Sequence, residues 1–261
     1  MSQAVMRFLG VGGSSGMELG SAAAVLEASG EPILLIDCGL DIPQRYAARY
    51  RGLPPAAFIT HVHMDHCSGL EPLFYSAWFE SGRADPVTLF VPVDIFATLQ
   101  ARLVVERSPL AEGGVNFWDA FHLVPVSKGF YWQGLWFDVF PVRHHRPGFA
   151  FGLRVENMFL YTGDTRPVPD VMQHFAAGSE TVFHDGRLEG NPSHAGWSEL
   201  RREYPEALLE RLYLYHYGTP REGILLRNQG AKLVEPGVTY ALGQRDILPP
   251  LRSPEGGSRV A

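Results

Sequence analysis

Three histidines and an aspartate fall within six residues of this chain, in Thr60-His61-Val62-His63-Met64-Asp65-His66. Imidazole and carboxylate groups are the ligands that borderline divalent metals favour, and a short rigid segment lowers the cost of gathering them. His61 and His63 stand two apart, so in an extended segment they project to one side. Asp65 and His66 follow at once and can turn toward a second position. Four donors in so short a run exceed what one tetrahedral ion with a bound water requires, which points to two metals. A solvated polar loop, or a set of core histidines, is the plainer alternative. The context argues against it, because residues 56–60 read as a buried strand that runs straight into the histidines, and a motif gains weight when its setting fits.

The elements that must position this run belong to a mixed α/β chain. Of 261 residues, 46% are apolar and 19% charged, which excludes a disordered chain and a coiled coil. No apolar run approaches the roughly 20 residues that span a bilayer. The opening MSQAVMRFLGVGGSSG lacks the basic region, apolar stretch and cleavage site of a signal peptide. Cys38 and Cys67 are too few for a disulfide framework, so a reduced, cytoplasmic setting is expected. The net charge of −6 speaks against a protein that coats nucleic acid, and no extensive nucleic-acid surface is expected. Strands are expected at 6–11, 22–27, 32–36, 56–60 and 87–91, with Ile33-Leu34-Leu35-Ile36 continuous, as in a strand covered on both faces. Helices are expected at 43–52, 70–81 and 95–106. Residues 107–136 read as less regular and rich in aromatic side chains. Strands recur at 135–142, 149–155, 158–162 and 181–184, a helix follows at 198–211, and 212–215 reads as the last strand. One domain over residues 1–248 is expected, followed by a loose tail at 249–261.

At this point the chain resembles the metallo-β-lactamase superfamily, whose signature is the His-x-His-x-Asp-His run. The resemblance extends to Leu35-Ile36-Asp37-Cys38-Gly39, Tyr161-Thr162-Gly163-Asp164-Thr165 and Leu214-Tyr215-His216-Tyr217. Phe8-Leu9-Gly10-Val11-Gly12-Gly13 and Phe151-Gly152-Leu153-Arg154 look most like the ribonuclease Z and related phosphodiesterase branch. It implies a four-layer αββα sandwich and two metals. His61 and His63 would hold the first, with a histidine at the end of the strand over 137–142. Asp65, His66 and His216 would hold the second, and Asp164 would bridge the two. His144 and His145 compete for the third place on the first metal. Neighbours on a strand face opposite ways, so one of them coordinates, and the phasing to Phe151-Gly152 favours His145.

The resemblance implies hydrolysis, by a metal-bound hydroxide that two close ions make available near neutral pH. Asp65 and His194 are the residues expected to act in catalysis. His194 resembles the loop histidine that ribonuclease Z-type enzymes carry, and is the candidate acid for a poor leaving group; a surface-loop histidine is the bland alternative. Asp185 would orient it, or else His184 is simply buried. Asp37 either hydrogen-bonds a ligand histidine or forms a turn before Gly39. Gly12-Gly13-Ser14-Ser15-Gly16 has no Gly-Lys-Ser/Thr ending and reads as a turn, with phosphate binding by its amides as the alternative. Arg143, Arg146 and Arg166 are placed to meet an anionic substrate, or are solvated. The aromatics at 74–79 and 117–136 read as core before pocket lining or dimer face. His122 and His174 carry no signal.

The leading expectation is a dinuclear hydrolase of a small or short-nucleotide phosphodiester, with Zn2+ favoured over Mn2+ or Fe because imidazoles dominate the ligand set. A lactone or thioester hydrolase using the same metals is the runner-up. A non-catalytic scaffold of the same fold stands third, because every ligand position can be filled. The resemblance also implies a homodimer.

Overall fold

Strands covered on both faces need no polar side, and the apolar runs of this chain build two such sheets. The computed structural model describes residues 4–14, 16–80, 86–103, 116–243 and 247. The first sheet takes β1 (Ala4–Gly10), β2 (Ala23–Ala28), β3 (Glu31–Ile36), β4 (Ala56–Phe58), β5 (Val87–Pro92) and β6 (Phe121–Val126). The second takes β7 (Gly129–Trp132), β8 (Leu135–Pro141), β9 (Phe151–Val155), β10 (Phe159–Tyr161), β11 (Thr181–Asp185), β12 (Leu212–Tyr215) and β13 (Lys232–Leu233). The strand β14 (Thr239–Ala241) returns to the first sheet beside β1. The orders are β14-β1-β2-β3-β4-β5-β6 and β13-β12-β11-β10-β9-β8-β7.

In each sheet an antiparallel part passes into a parallel part. β3 pairs in parallel with β4, and β4 with β5; β10 pairs in parallel with β11, and β11 with β12. The sheets face each other through aromatic side chains. The Phe8 ring lies 5.1 Å from Phe183 and 5.8 Å from Tyr215, and Phe90 stacks on Phe130 at 4.0 Å. Each fully buried ring of this kind contributes about 1.5–3 kcal/mol by leaving water. Outside the sheets, α1 (Ile42–Arg49) packs on β1, α4 (Val93–Leu103) on β5 and β6, and α8 (Pro220–Asn228) on β13. This is the expected αββα sandwich.

Backbone hydrogen bonds stitch the two sheets together at one end. Phe151 N donates to Thr60 O at 3.0 Å, His61 bridges Ala150, and His216 N donates to Val11 O at 2.7 Å. That seam is where the histidine run leaves β4.

Several expected elements differ in detail. The helix over 198–211 is two, α6 (Trp197–Glu203) and α7 (Glu206–Leu209), because Pro205 has no N–H to continue the ladder. Its first turn is closed from Gly196, whose N donates to the Glu199 carboxylate at 3.0 Å. The aromatic stretch from 121 to 132 forms β6 and β7; Pro125 is tolerated because β6 is an edge strand. Residues 212–215 are followed by the short β13 and β14. The expected helix over 95–106 starts at Val93; residues 104–106, residues 107–115 and the tail at 249–261 lie outside the described residues.

Candidate metal centre

The short helix α2 (Met64–Cys67) turns the chain immediately after His63, so the four residues of the run divide between two groups. His61, His63, His144 and Asp164 bring ligand atoms within 4.8 Å of one another, and so do Asp65, His66 and His216. A third grouping joins Asp164, His194 and His216. Asp164 stands between the groups: its Oδ2 lies 3.1 Å from His216 Nε2, 3.3 Å from His66 Nε2, 3.7 Å from His61 Nε2 and 3.8 Å from His144 Nε2.

The third imidazole of the first group is His144, not the expected His145. His144 is 4% exposed, its Nδ1 meets the Ser193 carbonyl at 2.9 Å and its Nε2 lies 3.0 Å from His63 Nδ1. His145 is exposed, and its ring is 6.1 Å from that of His61. Strand alternation does not carry through this stretch, because β8 ends at Pro141 and residues 143–148 bend before Ala150 takes up pairing.

Two carboxylates outside the groups set the imidazoles. Asp37 Oδ2 meets His66 Nδ1 at 2.8 Å, while its Oδ1 accepts from Thr60 N at 2.8 Å. Asp185 Oδ2 meets His194 Nδ1 at 2.7 Å and accepts from Thr165 N at 2.8 Å. In each pair the bond at Nδ1 leaves Nε2 for the site. His184 does not join them; it is fully buried, with Nε2 on the Tyr204 hydroxyl at 2.8 Å. Asp37 and His216 adopt left-handed backbone at φ 63° and 69°. That conformation costs roughly 1–2 kcal/mol for a residue with a Cβ, and such strain gathers at functional sites. Gly13 lies under the His216 ring, where a Cβ would come within 2.5 Å of Cε1.

The charge pattern follows from this packing. Burial, then the neighbouring His66, holds His61 well below the ordinary imidazole pKa. Burial likewise brings His144 down to about 4. His66 moves the other way: burial opposes its charge, but Asp164 and Asp37 raise it well above the ordinary value. Against burial, His216 and His66 bring the Asp65 carboxyl down to about 2. The same two imidazoles hold Asp164 well below the carboxylate range.

The residues fit a metal. Both Asp164 oxygens, His66 Nε2 and His216 Nε2 are buried without a hydrogen-bond partner. Orphaned buried acceptors of this kind are costly, and a cation between them would satisfy them together. Three imidazoles with one carboxylate, beside two imidazoles with two carboxylates, is a nitrogen and oxygen set suited to zinc, manganese or iron.

A cleft of about 690 Å3 opens over this floor, lined by His63, Asp65, Asp164, His194 and His216. Gly13, Ser14 and Gly16 form one wall, so the glycine run borders the site. Arg143 and Arg166 line a separate cleft with His144 and His145, and Arg146 lies over the Phe149 ring. The cationic side chain that does reach the metal cleft beside Arg45 is Arg102, on α4. Nothing in the sequence signalled it, since an arginine on an exposed helix face is ordinary. His122 and His174 are exposed and away from the groups.

The same architecture recurs in known proteins. A family model described as Anti-Pycsar protein Apyc1 matches residues 4–240. The chain is 28% identical over 246 residues to the Anti-Pycsar protein Apyc1 of Paenibacillus harenae, spanning 90% of this chain and 98% of that one. It is 32% identical over 181 residues to a ribonuclease Z of Pseudomonas putida, covering 66% of this chain and 54% of that protein. Among solved structures, a diphosphatase of the PhnP family superposes with a TM-score of 0.73 at 17% identity, over 94% of this chain and 99% of that chain. The short form of human tRNase Z gives 0.66 at 20% identity, over 92% and 100%. The two structural likenesses speak for the fold alone, and the expected metallo-β-lactamase fold and ribonuclease Z likeness are borne out.

Proposed function

We propose that this chain, a metal-dependent hydrolase of the phosphodiesterase type that belongs to the Anti-Pycsar Apyc1 family, holds two divalent ions and cleaves a phosphodiester of single-nucleotide size. The observation that carries the reading is the position of Asp164 Oδ2, within 3.1–3.8 Å of imidazoles from both groups. His61, His63, His144 and Asp164 would hold one ion, and Asp65, His66, His216 and Asp164 the other. Zinc is the first choice, with manganese or iron next, and the cytoplasm is the setting. Ions bound there activate water and neutralise the charge that grows on phosphate oxygens.

The chain's own residues do the rest. Asp65, its side chain 14% exposed, is the carboxylate of the second group that opens to the cleft, placed to hold the proton of the attacking water. His194 is held by Asp185 at Nδ1, which leaves its Nε2 to protonate the departing alkoxide. That pairing favours a phosphodiester over the thioester alternative, since a thiolate leaves without an acid. The Pseudomonas putida relative supports the bond type, being by name a ribonuclease. The cleft, about 690 Å3, falls in the range of small-molecule sites. A net charge of −6 gives no grip on a large folded RNA. No helix among the described residues is long and apolar enough to cross a membrane.

The test is turnover of bis(p-nitrophenyl) phosphate and of a 3′,5′-cyclic nucleotide by metal-replete protein, with Asp164→Ala as the blank. Cleavage that a chelator abolishes and the variant lacks is expected. No cleavage of either by protein shown to hold two ions would overturn the proposal in favour of the carbonyl substrates.

A further inference from the structure

Another cavity, of about 290 Å3, lies between β3, α1 and α3 (Leu70–Tyr75) and shares no lining residue with the metal cleft. Leu35, Leu53, Pro54 and Leu73 make its walls apolar, and no charged side chain lines it. One polar group of its lining is unmatched. Tyr46 is 2% exposed, and its hydroxyl is buried without a hydrogen-bond partner among the described residues. Burial pushes its pKa well up, so the proton stays on the oxygen. Tyr50, whose ring lies 4.6 Å away, donates its own hydroxyl to the Glu27 carboxylate. A buried hydroxyl with nothing to bond is costly, and in a native fold it calls for a partner.

The cavity reaches the backbone that carries the histidine run. Cys38 is fully buried, lines the cavity and follows Asp37, the carboxylate behind His66. Cys38 N donates to His66 O and its carbonyl accepts from Gly69 N, both at 2.8 Å. Gly69 O in turn accepts from Leu73 N at 3.0 Å, and Leu73 is part of the cavity wall. The contact is tight, since a Cβ on Gly69 would collide with the Gly39 carbonyl. Segments packed this closely pass a displacement on rather than absorb it.

We propose that this cavity is an effector site for a small uncharged molecule, an apolar ring with one hydroxyl or carbonyl that bonds the Tyr46 hydroxyl. A cavity of about 150 Å3 already takes benzene, so there is room here for a ring and a polar arm. Walls without charge offer nothing to a phosphate, so the occupant is not the substrate. Its binding is felt at the metal centre through Cys38, Asp37 and His66. That coupling rests on the phosphodiesterase reading, in which His66 holds the second ion.

Acetophenone, α-methylstyrene and benzoate share a shape and differ in one group: a carbonyl, a methylene and a carboxylate. Each is titrated into zinc-loaded protein and followed by 1H–15N NMR. Acetophenone is expected to shift the amide signals of Leu53 and Cys38. It should bind about fivefold more tightly than α-methylstyrene, the difference that one neutral hydrogen bond makes. Benzoate is expected to leave both signals in place. Tyr46→Phe should remove the acetophenone advantage, and Ala47→Trp, at an exposed lining position, should abolish binding of both neutral probes. Melting curves identify any variant that has failed to fold. Saturating acetophenone should change zinc affinity about fivefold or more in a chelator competition. Unmoved amides, benzoate binding as tightly as acetophenone, an advantage that survives Tyr46→Phe, or an unchanged zinc affinity each overturns the effector site. Shifted amides and a changed zinc affinity in protein that cleaves no phosphodiester would keep the site and remove the activity.

Discussion

Two buried carboxylates, one from each sheet, hold an imidazole through the same bond but leave it in different surroundings. Asp37, just past β3, meets His66 Nδ1 at 2.8 Å; Asp185, at the end of β11, meets His194 Nδ1 at 2.7 Å. Burial raises both carboxyl pKa values, and the partner imidazole pulls each back down. His66 is 0% exposed and turns Nε2 toward Asp164, whereas His194 is 15% exposed and borders the cleft. A carboxylate behind an imidazole fixes its tautomer and raises its basicity. Where no solvent reaches, the proposed role is that of a metal ligand. Where the cleft is open, the proposed role is to pass a proton to a substrate. On that proposal access, rather than residue type, separates the two.

The largest expected effect comes from the group common to both halves. Asp164→Ala should lower turnover roughly 10^3-fold, about 4 kcal/mol of lost charge stabilisation. Metal analysis of the folded variant should find at least one ion missing; full occupancy would dissolve the link between the halves. Next comes the open pair. His194→Ala is expected to slow diesters with poor leaving groups about 10^2-fold and p-nitrophenyl esters far less, with metal content kept. Equal losses on both substrates would remove His194 as the acid.

The sealed pair should answer differently. Asp37→Asn is expected to weaken metal binding about 10- to 100-fold, with turnover recovering in excess metal. Asp185→Asn should lose turnover that added metal does not restore. If the two variants respond to metal alike, the difference between the pairs collapses. The smallest effect is expected far from either pair, at Glu180, which is fully buried and accepts from Asn157 N at 3.0 Å and Arg154 Nη2 at 2.9 Å. Glu180→Gln should cost about 1–2 kcal/mol of stability and leave kcat alone. Burial works against the Glu180 carboxylate, but Asn157 N and Arg154 lower its pKa below the usual 4.5. Its contribution is therefore complete above the unfolded value and fades as pH falls through the depressed folded one. Thermal melts of both proteins from pH 7 to pH 3 should converge.

Legibility in the sequence followed distance along the chain. His61, His63, Asp65 and His66 were readable because one turn of backbone carries all of them. The third imidazole was not, since its choice depends on how residues 143–148 bend and on a carbonyl 49 residues away, at Ser193. The strands β6 and β7 were hidden by aromatic density and by Pro125, which only an edge position excuses. Arg143, Arg146 and Arg166 stand beside motif residues in the chain, yet Arg102 reaches the metal cleft from α4, which packs on β5 and β6.

The sequence by itself determined that this is a mixed α/β chain with a histidine and aspartate cluster at a strand end, because periodicity and local spacing are properties of short segments. Only the tertiary structure decided that His144 enters while His145 stays out, and that Asp37 and Asp185 stand behind different imidazoles. It alone set Leu40, Met64 and Arg102 around one opening. Those outcomes depend on how two sheets meet along a seam of backbone hydrogen bonds, from Thr60 to Phe151 and from Val11 to His216. Contacts between segments so far apart in the chain leave no local pattern to read.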